Sequence, residues 1–284
     1  VVRRITVDLS ESVWAEILRL GHESGRDPST IIEGALAEAF DLHKHSLFQV
    51  STSNALVQGV FAGAITVAEL KRHGDMGLGT FAGLDGELVM IEGRCFRATA
   101  GGAVEVAGDD REVPFALVTR FTPDQAFATG RIQDIGALHH ELDRARPSEN
   151  IFAGIEVDGR FDELMMRAAC PAREGEGLVA ATEHQSEFTA RDVDGTLVGF
   201  WAPDYTRAIS VPGYHLHFVS SDRTLGGHVL DVKSGSLNVQ MQLESEVHLA
   251  IPETEDFLTA DLGGDHRREL EVAETGSSGS DRDE

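Results

Sequence analysis

Lysine is nearly missing from this chain. Its 284 residues hold three, Lys44, Lys71 and Lys233, so the positive charge rests almost wholly on arginine. Cations are scarce altogether: 24 Lys+Arg face 48 Asp+Glu, a formal net charge of −24 at pH 7. That balance argues against a protein whose main task is gripping phosphates. It favours a surface kept soluble by self-repulsion. Cysteine is scarce too. Cys95 and Cys170 are isolated, cannot build a disulfide framework, and read as small buried hydrophobes. No apolar run reaches the roughly 18 residues that a spanning helix requires. The opening residues alternate instead of running apolar, so no secretory leader is read there and a cytoplasmic protein is expected. What is present, 41% hydrophobic and 25% charged residues, excludes a wholly disordered chain.

Residues 1–45 read as a separate unit. From Arg4 to Leu9 polar and apolar residues alternate, a strand pattern with Ile5, Val7 and Leu9 on one face. Ser10 can cap a helix in which Val13, Ile17 and Leu20 recur at helical spacing, and Gly25 ends it. Asp27-Pro28 opens a second helix carrying Ile32, Leu36 and Phe40. Strand, helix, helix at this length is too small to bury its own core. The segment resembles the ribbon-helix-helix family, in which two chains pair through the strand and the ribbon reads DNA. The outward strand positions would be Arg4, Thr6 and Asp8. Asp8 is unfavourable beside phosphates, and five cations face eight acids in the segment. DNA binding by residues 1–45 is therefore not favoured over dimerisation alone.

The body has a different texture. Thr66 and Glu69 form a capping box for a short helix that Gly74 terminates. Asp85-Gly86 is a turn before a strand over 87–91. Thr122-Pro123-Asp124-Gln125 reads as a helix start, and a helix is expected from Asp134 to Arg146. Strands are expected over 195–201, 213–219 and 228–232. The last residues, 276–284, read as a disordered tail.

The informative stretch is Gly213 to Phe218 followed by Gly226 to Asp231. On a strand, residues i and i+2 share a face, so His215 and His217 present two imidazoles with Cα atoms roughly 7 Å apart. The next strand can bring His228 beside them. A single histidine on an apolar strand is ordinarily a satisfied core residue. His-x-His with a third histidine at hairpin distance is a metal-ligand pattern. Three neutral imidazoles suit Zn²⁺ and leave one position open, although Mn, Fe or Ni suit the same ligands. His139 and His140 read as surface residues on the helix, and His73 and His184 carry no partner pattern.

Residues 46–275 resemble the alpha-acetolactate decarboxylases. The resemblance is carried by residues 48–56 (FQVSTSNAL), 74–87 (GDMGLGTFAGLDGE), 203–205 (PDY), 212–218 (PGYHLHF) and 226–231 (GGHVLD). It implies zinc held by His215, His217 and His228. It implies two glutamates and an arginine beside the metal, matching Glu87, Glu274 and Arg167, with Glu271 as the alternative to Glu274. Glu253 and Glu255 belong to a local acidic turn and suit the role less. The implied reaction turns (S)-2-acetolactate into (R)-acetoin and CO2 on the route to butanediol, without thiamine or pyridoxal. The substrate's own ketone is the electron sink, a metal on its hydroxyl and ketone oxygens stabilises the charge, and Arg167 holds the carboxylate. Either glutamate can be the proton donor.

The expected fold is α+β: a mixed, largely β body in two subdomains, about 46–170 and 171–275, preceded by a small strand-helix-helix module. A homodimer is expected from the family and from the unpaired N-terminal strand. A metal-responsive ribbon-helix-helix regulator is the alternative, against which the long body and acidic N-terminus count. A cupin would need a glutamate shortly after His217, and residues 218–222 supply none.

Overall fold

The computed structural model describes residues 6–39, 45–173, 175–183, 185 and 187–275. Arg4, Ile5, Phe40, Lys44, His184 and the tail over 276–284 lie outside them. The chain divides into two compact units, Val1–Lys44 and His45–Glu284. No helix among the described residues is long and apolar enough to cross a membrane.

In the first unit, helix α1 (Glu11–Ser24) starts where Ser10 accepts a hydrogen bond from the Val13 amide and stops at Gly25 in the left-handed conformation. Helix α2 (Pro28–Ala39) starts where Asp27 accepts from the Thr30 amide at 3.0 Å. The expected strand is absent over residues 6–9, because a strand needs a ladder partner and the single chain offers none there. Of the expected apolar ladder in α1 only Ile17 is buried; Val13 and Leu20 are exposed. So few residues cannot cover a core of their own.

In the second unit the chain first lays down β1 (Ser46–Val50), α3 (Ser53–Val57), β2 (Ile65–Thr66), α4 (Val67–His73), β3 (Met76–Thr80), β4 (Glu87–Ile91), β5 (Arg94–Ala98), β6 (Val104–Val106), β7 (Glu112–Val113) and β8 (Phe115–Thr119). It continues with β9 (Gln125–Ala128), α5 (Ile135–Ala145), β10 (Phe152–Arg167), α6 (Leu178–Thr182), β11 (Glu187–Ala202), β12 (Gly213–Ser220), β13 (Gly226–Ser234), β14 (Asn238–Glu244), β15 (Glu246–Ala250), α7 (Glu255–Thr259) and α8 (Arg267–Thr275). One sheet has the order β15-β1-β8-β3-β4-β5-β6 and the other β11-β12-β13-β10-β14-β9. Strand β10 also pairs with β11 along its length, so β10 to β13 form a closed circuit of pairing. The chain passes from the first sheet to the second between Thr119 and Gln125, not near residue 170. The expected helix start at Thr122 is instead the approach to β9, whose residues pair with β14. Ladder pairing overrides the local Thr-Pro-Asp signal there.

The two sheets share a core. Leu78, Val89 and Phe96 of the first sheet pack in one cluster with Val198, Phe200 and Val219 of the second. Burying each such side chain contributes about 1.5–3 kcal/mol. Strand β4 is buried on both faces, with Val89 and Ile91 in this inter-sheet core and Leu88 and Met90 in a second core beneath α4. Alternation therefore aims Glu87 at the second sheet. Strand β12 alternates likewise: Leu216 and Phe218 enter the second sheet's own core, leaving His215, His217 and Val219 for the seam between sheets.

A buried acid tests the joint where β14 hands the chain to β15. Glu244 is 2% exposed; Oε1 accepts from Gln242 at 2.9 Å, and Oε2 has no hydrogen-bond partner. Burial pushes its carboxyl up to about 7 from the ordinary 4.5, against the hydrogen bonds from Thr119 and Gln242. The folded state thus holds a proton that the unfolded state releases between pH 4.5 and about 7. Stability falls as pH rises through that window, by on the order of 3 kcal/mol in all. Glu244→Gln is expected to flatten this slope and to raise the melting temperature at pH 8 but not at pH 4, as scanning calorimetry would show.

Candidate metal centre

Three neighbouring strands place the centre. His217 on β12 stands directly opposite His228 on β13, and His228 stands opposite Arg167 on β10. A register shift between Met165 and Met166 is what brings Arg167 level with His228: Met165 pairs with Asp231 and Met166 with Val229, so Leu230 is the extra residue. Gly199 on β11 permits the close approach of β12, since a Cβ there would run into the backbone oxygen of His215. From the first sheet, Gly86 turns the chain at φ +96° into Glu87, where a Cβ would lie 2.5 Å from the Ala98 oxygen. Helix α8 closes the site from outside, with Leu270 and Ala273 in the inter-sheet core and Glu274 beside the histidines.

The potential ligand atoms of His215, His217 and His228 all lie within 4.8 Å of one another. His217 Nδ1 donates to the backbone oxygen of Leu88 at 2.9 Å, which leaves Nε2 with its lone pair. That Nε2 lies 3.1 Å from His215 Nε2. Two nitrogens bound tetrahedrally to Zn²⁺ stand about 3.3 Å apart, so this spacing fits an ion. Burial keeps the imidazoles neutral: it pushes His217 down to about 4 and His215 and His228 well below their ordinary value, with the Arg167 charge pushing the same way. A neutral imidazole is the form that binds metal.

Two carboxyl groups flank the trio. Glu87 Oε2 is 3.5 Å from His217 Nε2, and Glu87 Oε1 accepts from the Ala169 amide at 2.8 Å. Glu274 Oε2 is 3.7 Å from both His215 Nε2 and His228 Nε2. Burial lifts Glu87 to about 7, opposed by Arg167 and by the Ala169 hydrogen bond and reinforced by Glu274. Burial also raises Glu274, opposed by Arg167. The groups border a cavity of about 60 Å³ that Leu56, Leu84, Phe115 and Gln185 also line. A larger cavity of about 710 Å³ lies on the far side of Val211, His228 and Glu274, which line both.

The structure thus brings together all six residues singled out from the sequence: His215, His217, His228, Glu87, Arg167 and Glu274. Glu271 lines only the larger cavity. His139 differs from the surface position expected of it: its ring stacks on Tyr214 at 4.6 Å and lines the larger cavity. Its helix packs that face on the second sheet, which a sequence-local view misses. Sequence reasoning also missed Leu88, which enters through a carbonyl that no side-chain pattern reveals, and Gln185, whose only signal is a polar residue just beyond α6.

A buried pocket between two sheets, with three imidazoles that could hold a metal ion, two raised carboxyls and a buried guanidinium, has the make-up of an enzyme active site. The comparisons with known proteins agree on which. A family model described as alpha-acetolactate decarboxylase matches residues 47–264. An alpha-acetolactate decarboxylase of Methanosarcina mazei is 38% identical over 230 residues, 80% of each chain. One from Methylococcus capsulatus is 38% identical over 243 residues, 85% of this chain and 94% of the relative. The crystal structure of alpha-acetolactate decarboxylase from Bacillus subtilis superposes with a TM-score of 0.78 at 33% identity, covering 82% of this chain and all of that one. The chain belongs to the alpha-acetolactate decarboxylase family. Glu274 lies beyond the family model's matched range, so its place rests on the geometry above.

Proposed function

We propose that this chain decarboxylates (S)-2-acetolactate to (R)-acetoin and CO2, in acetoin and butanediol formation, with His215, His217 and His228 holding a divalent ion, zinc by ligand type. The observation that carries the reading is the buried trio with its two protonatable carboxyls, in a chain of this family. A bound ion supplies Lewis-acid stabilisation of the negative charge that develops on the substrate's oxygens. Arg167 orients the carboxylate with its planar fork until the carbon–carbon bond to it breaks. The electron pair moves into the adjacent ketone, leaving an enediolate. A neutral carboxyl then delivers a proton to the carbon that lost CO2, on one face, which sets the configuration of acetoin. Glu87 is sealed at the inner end and Glu274 borders the larger cavity, so the pair offers a donor and a path for its reprotonation. The ribbon-helix-helix-like segment is read as an accessory unit that dimerises. A metal-responsive regulator is not favoured, because the family match spans the body.

One experiment tests the reading. The full chain and a chain lacking residues 1–44 are loaded with zinc, assayed for acetoin and CO2 from acetolactate, then assayed again after chelation. Equal turnover by both is expected, with a loss of roughly a hundredfold or more on chelation and a smaller sedimenting species for the shortened chain. No acetoin from zinc-, manganese- or iron-loaded protein would overturn it.

A further inference from the structure

We infer that Gln185 is a substrate-contacting residue of this centre, its amide oxygen accepting the hydroxyl hydrogen of the bound 2-hydroxy-3-oxo acid. The inference rests on the function proposed above and names a group that the histidines, acids and arginine do not supply. Gln185 follows α6, and its backbone amide donates to the Thr182 oxygen at 3.0 Å, which ties it to the helix end. It lines the smaller cavity together with Glu87, Arg167, His215, His228 and Glu274. Its Oε1 is buried and has no hydrogen-bond partner in the chain. Among the described residues, no other side-chain atom in that condition belongs to a residue lining this cavity.

A buried amide oxygen without a partner is costly, and it persists where something else completes it. The donor inventory says what. The carboxylate and the ketone of a ketol acid only accept hydrogen bonds. Its tertiary hydroxyl is its one donor. Arg167 and a protonated carboxyl serve the acceptors, which leaves the hydroxyl hydrogen in need of an oxygen. An amide oxygen holds that hydrogen without removing it. It also adds no negative charge to a pocket that already contains two acids and receives an anion. A polar but uncharged residue here therefore has a physical reason: it turns the hydroxyl, and with it the adjacent carbon, toward one orientation.

The test uses the zinc-loaded full chain and two analogues without a ketone to act as electron sink. They are 2,3-dihydroxy-2-methylbutanoate and 3-hydroxy-2-methylbutanoate, which lacks the 2-hydroxyl. Binding is measured by calorimetry. Gln185→Leu is expected to weaken the first about tenfold and the second less than twofold, and to raise KM for acetolactate about tenfold, with zinc content unchanged. Gln185→Met, nearly the same shape, is expected to behave likewise, so the result does not hang on one variant folding. Unchanged affinities in both variants, or equal weakening of both analogues, would overturn the assignment. An inactive wild type that binds neither analogue takes down the proposed function and this inference together. An active wild type with an indifferent Gln185 removes this inference alone.

Discussion

His217→Ala is expected to strip the protein of its metal and to lower acetoin formation by on the order of 10³-fold or more, about 4 kcal/mol of lost transition-state stabilisation. His217 is the most deeply buried of the trio, at 1% exposure. Its Nδ1 is already committed to the Leu88 oxygen, so Nε2 is fixed in direction before any ion arrives. If the trio holds an ion as proposed, alanine leaves two imidazoles, too few to hold a divalent ion with an open position. It also leaves the Leu88 carbonyl without that donor, which adds a stability cost of about 1–3 kcal/mol. Metal content by mass spectrometry and acetoin release, measured on the same preparation, check it. Retained zinc with unchanged turnover would sink the metal-centre reading. A folded, zinc-free and inactive protein is the expected outcome.

Arg167→Met carries the second largest effect. It is expected to lower kcat/KM by about 10²–10³-fold, because among the described residues the guanidinium is the one planar, permanently charged donor lining the cavity for a carboxylate to meet. The pH profile supplies a signature that a packing defect would not. The Arg167 charge lowers both Glu87 and Glu274. Without it both carboxyls hold their protons to higher pH, and the limb of the rate profile that reports them moves to higher pH. The same charge holds all three imidazoles down. Without it protons bind these imidazoles more readily, so loss of the proposed ion on acidification is expected to begin at higher pH. Arg167→Lys restores the charge but not the fork, so it is expected to recover the pH profile more than the rate. Stopped assays across pH 5–9, with zinc content followed in parallel, check both parts. A pH profile identical to wild type would mean that Arg167 does not act on these acids.

Much of this centre is readable from one dimension because strands obey a strict alternation. Two histidines at i and i+2 must share a face, and Glu87 must point opposite to Leu88 once β4 is a strand. The capping box at Thr66 and the helix expected from Asp134 to Arg146 are likewise local; the box forms, and the helix spans Ile135–Ala145 with Asp134 as its cap. What stays hidden is set by pairing. The extra residue Leu230, which aligns Arg167 with His228, is a property of two strands together. Strand β9 sits where a helix start was expected, because β14 supplies its ladder. Glu271 and Glu274 share one face of α8, and only the seating of that helix decides that Glu274 reaches the smaller cavity. The N-terminal strand pattern is legible as alternation, yet a single chain offers its described residues no ladder.

The hydrogen bond from His217 to Leu88 crosses from one sheet to the other. The centre is thus a clasp over a seam, with the three imidazoles anchored in one slab and Glu87 and the Leu88 carbonyl in the other. Substitutions among the apolar residues that set the slab spacing, such as Phe200 and Val89, are expected to shift Glu87 against the imidazoles without changing either. Packing chemistry among residues that touch no substrate then becomes a dial on reactivity, and a chain of this kind can be tuned through its greasy interior while its polar centre stays letter for letter the same.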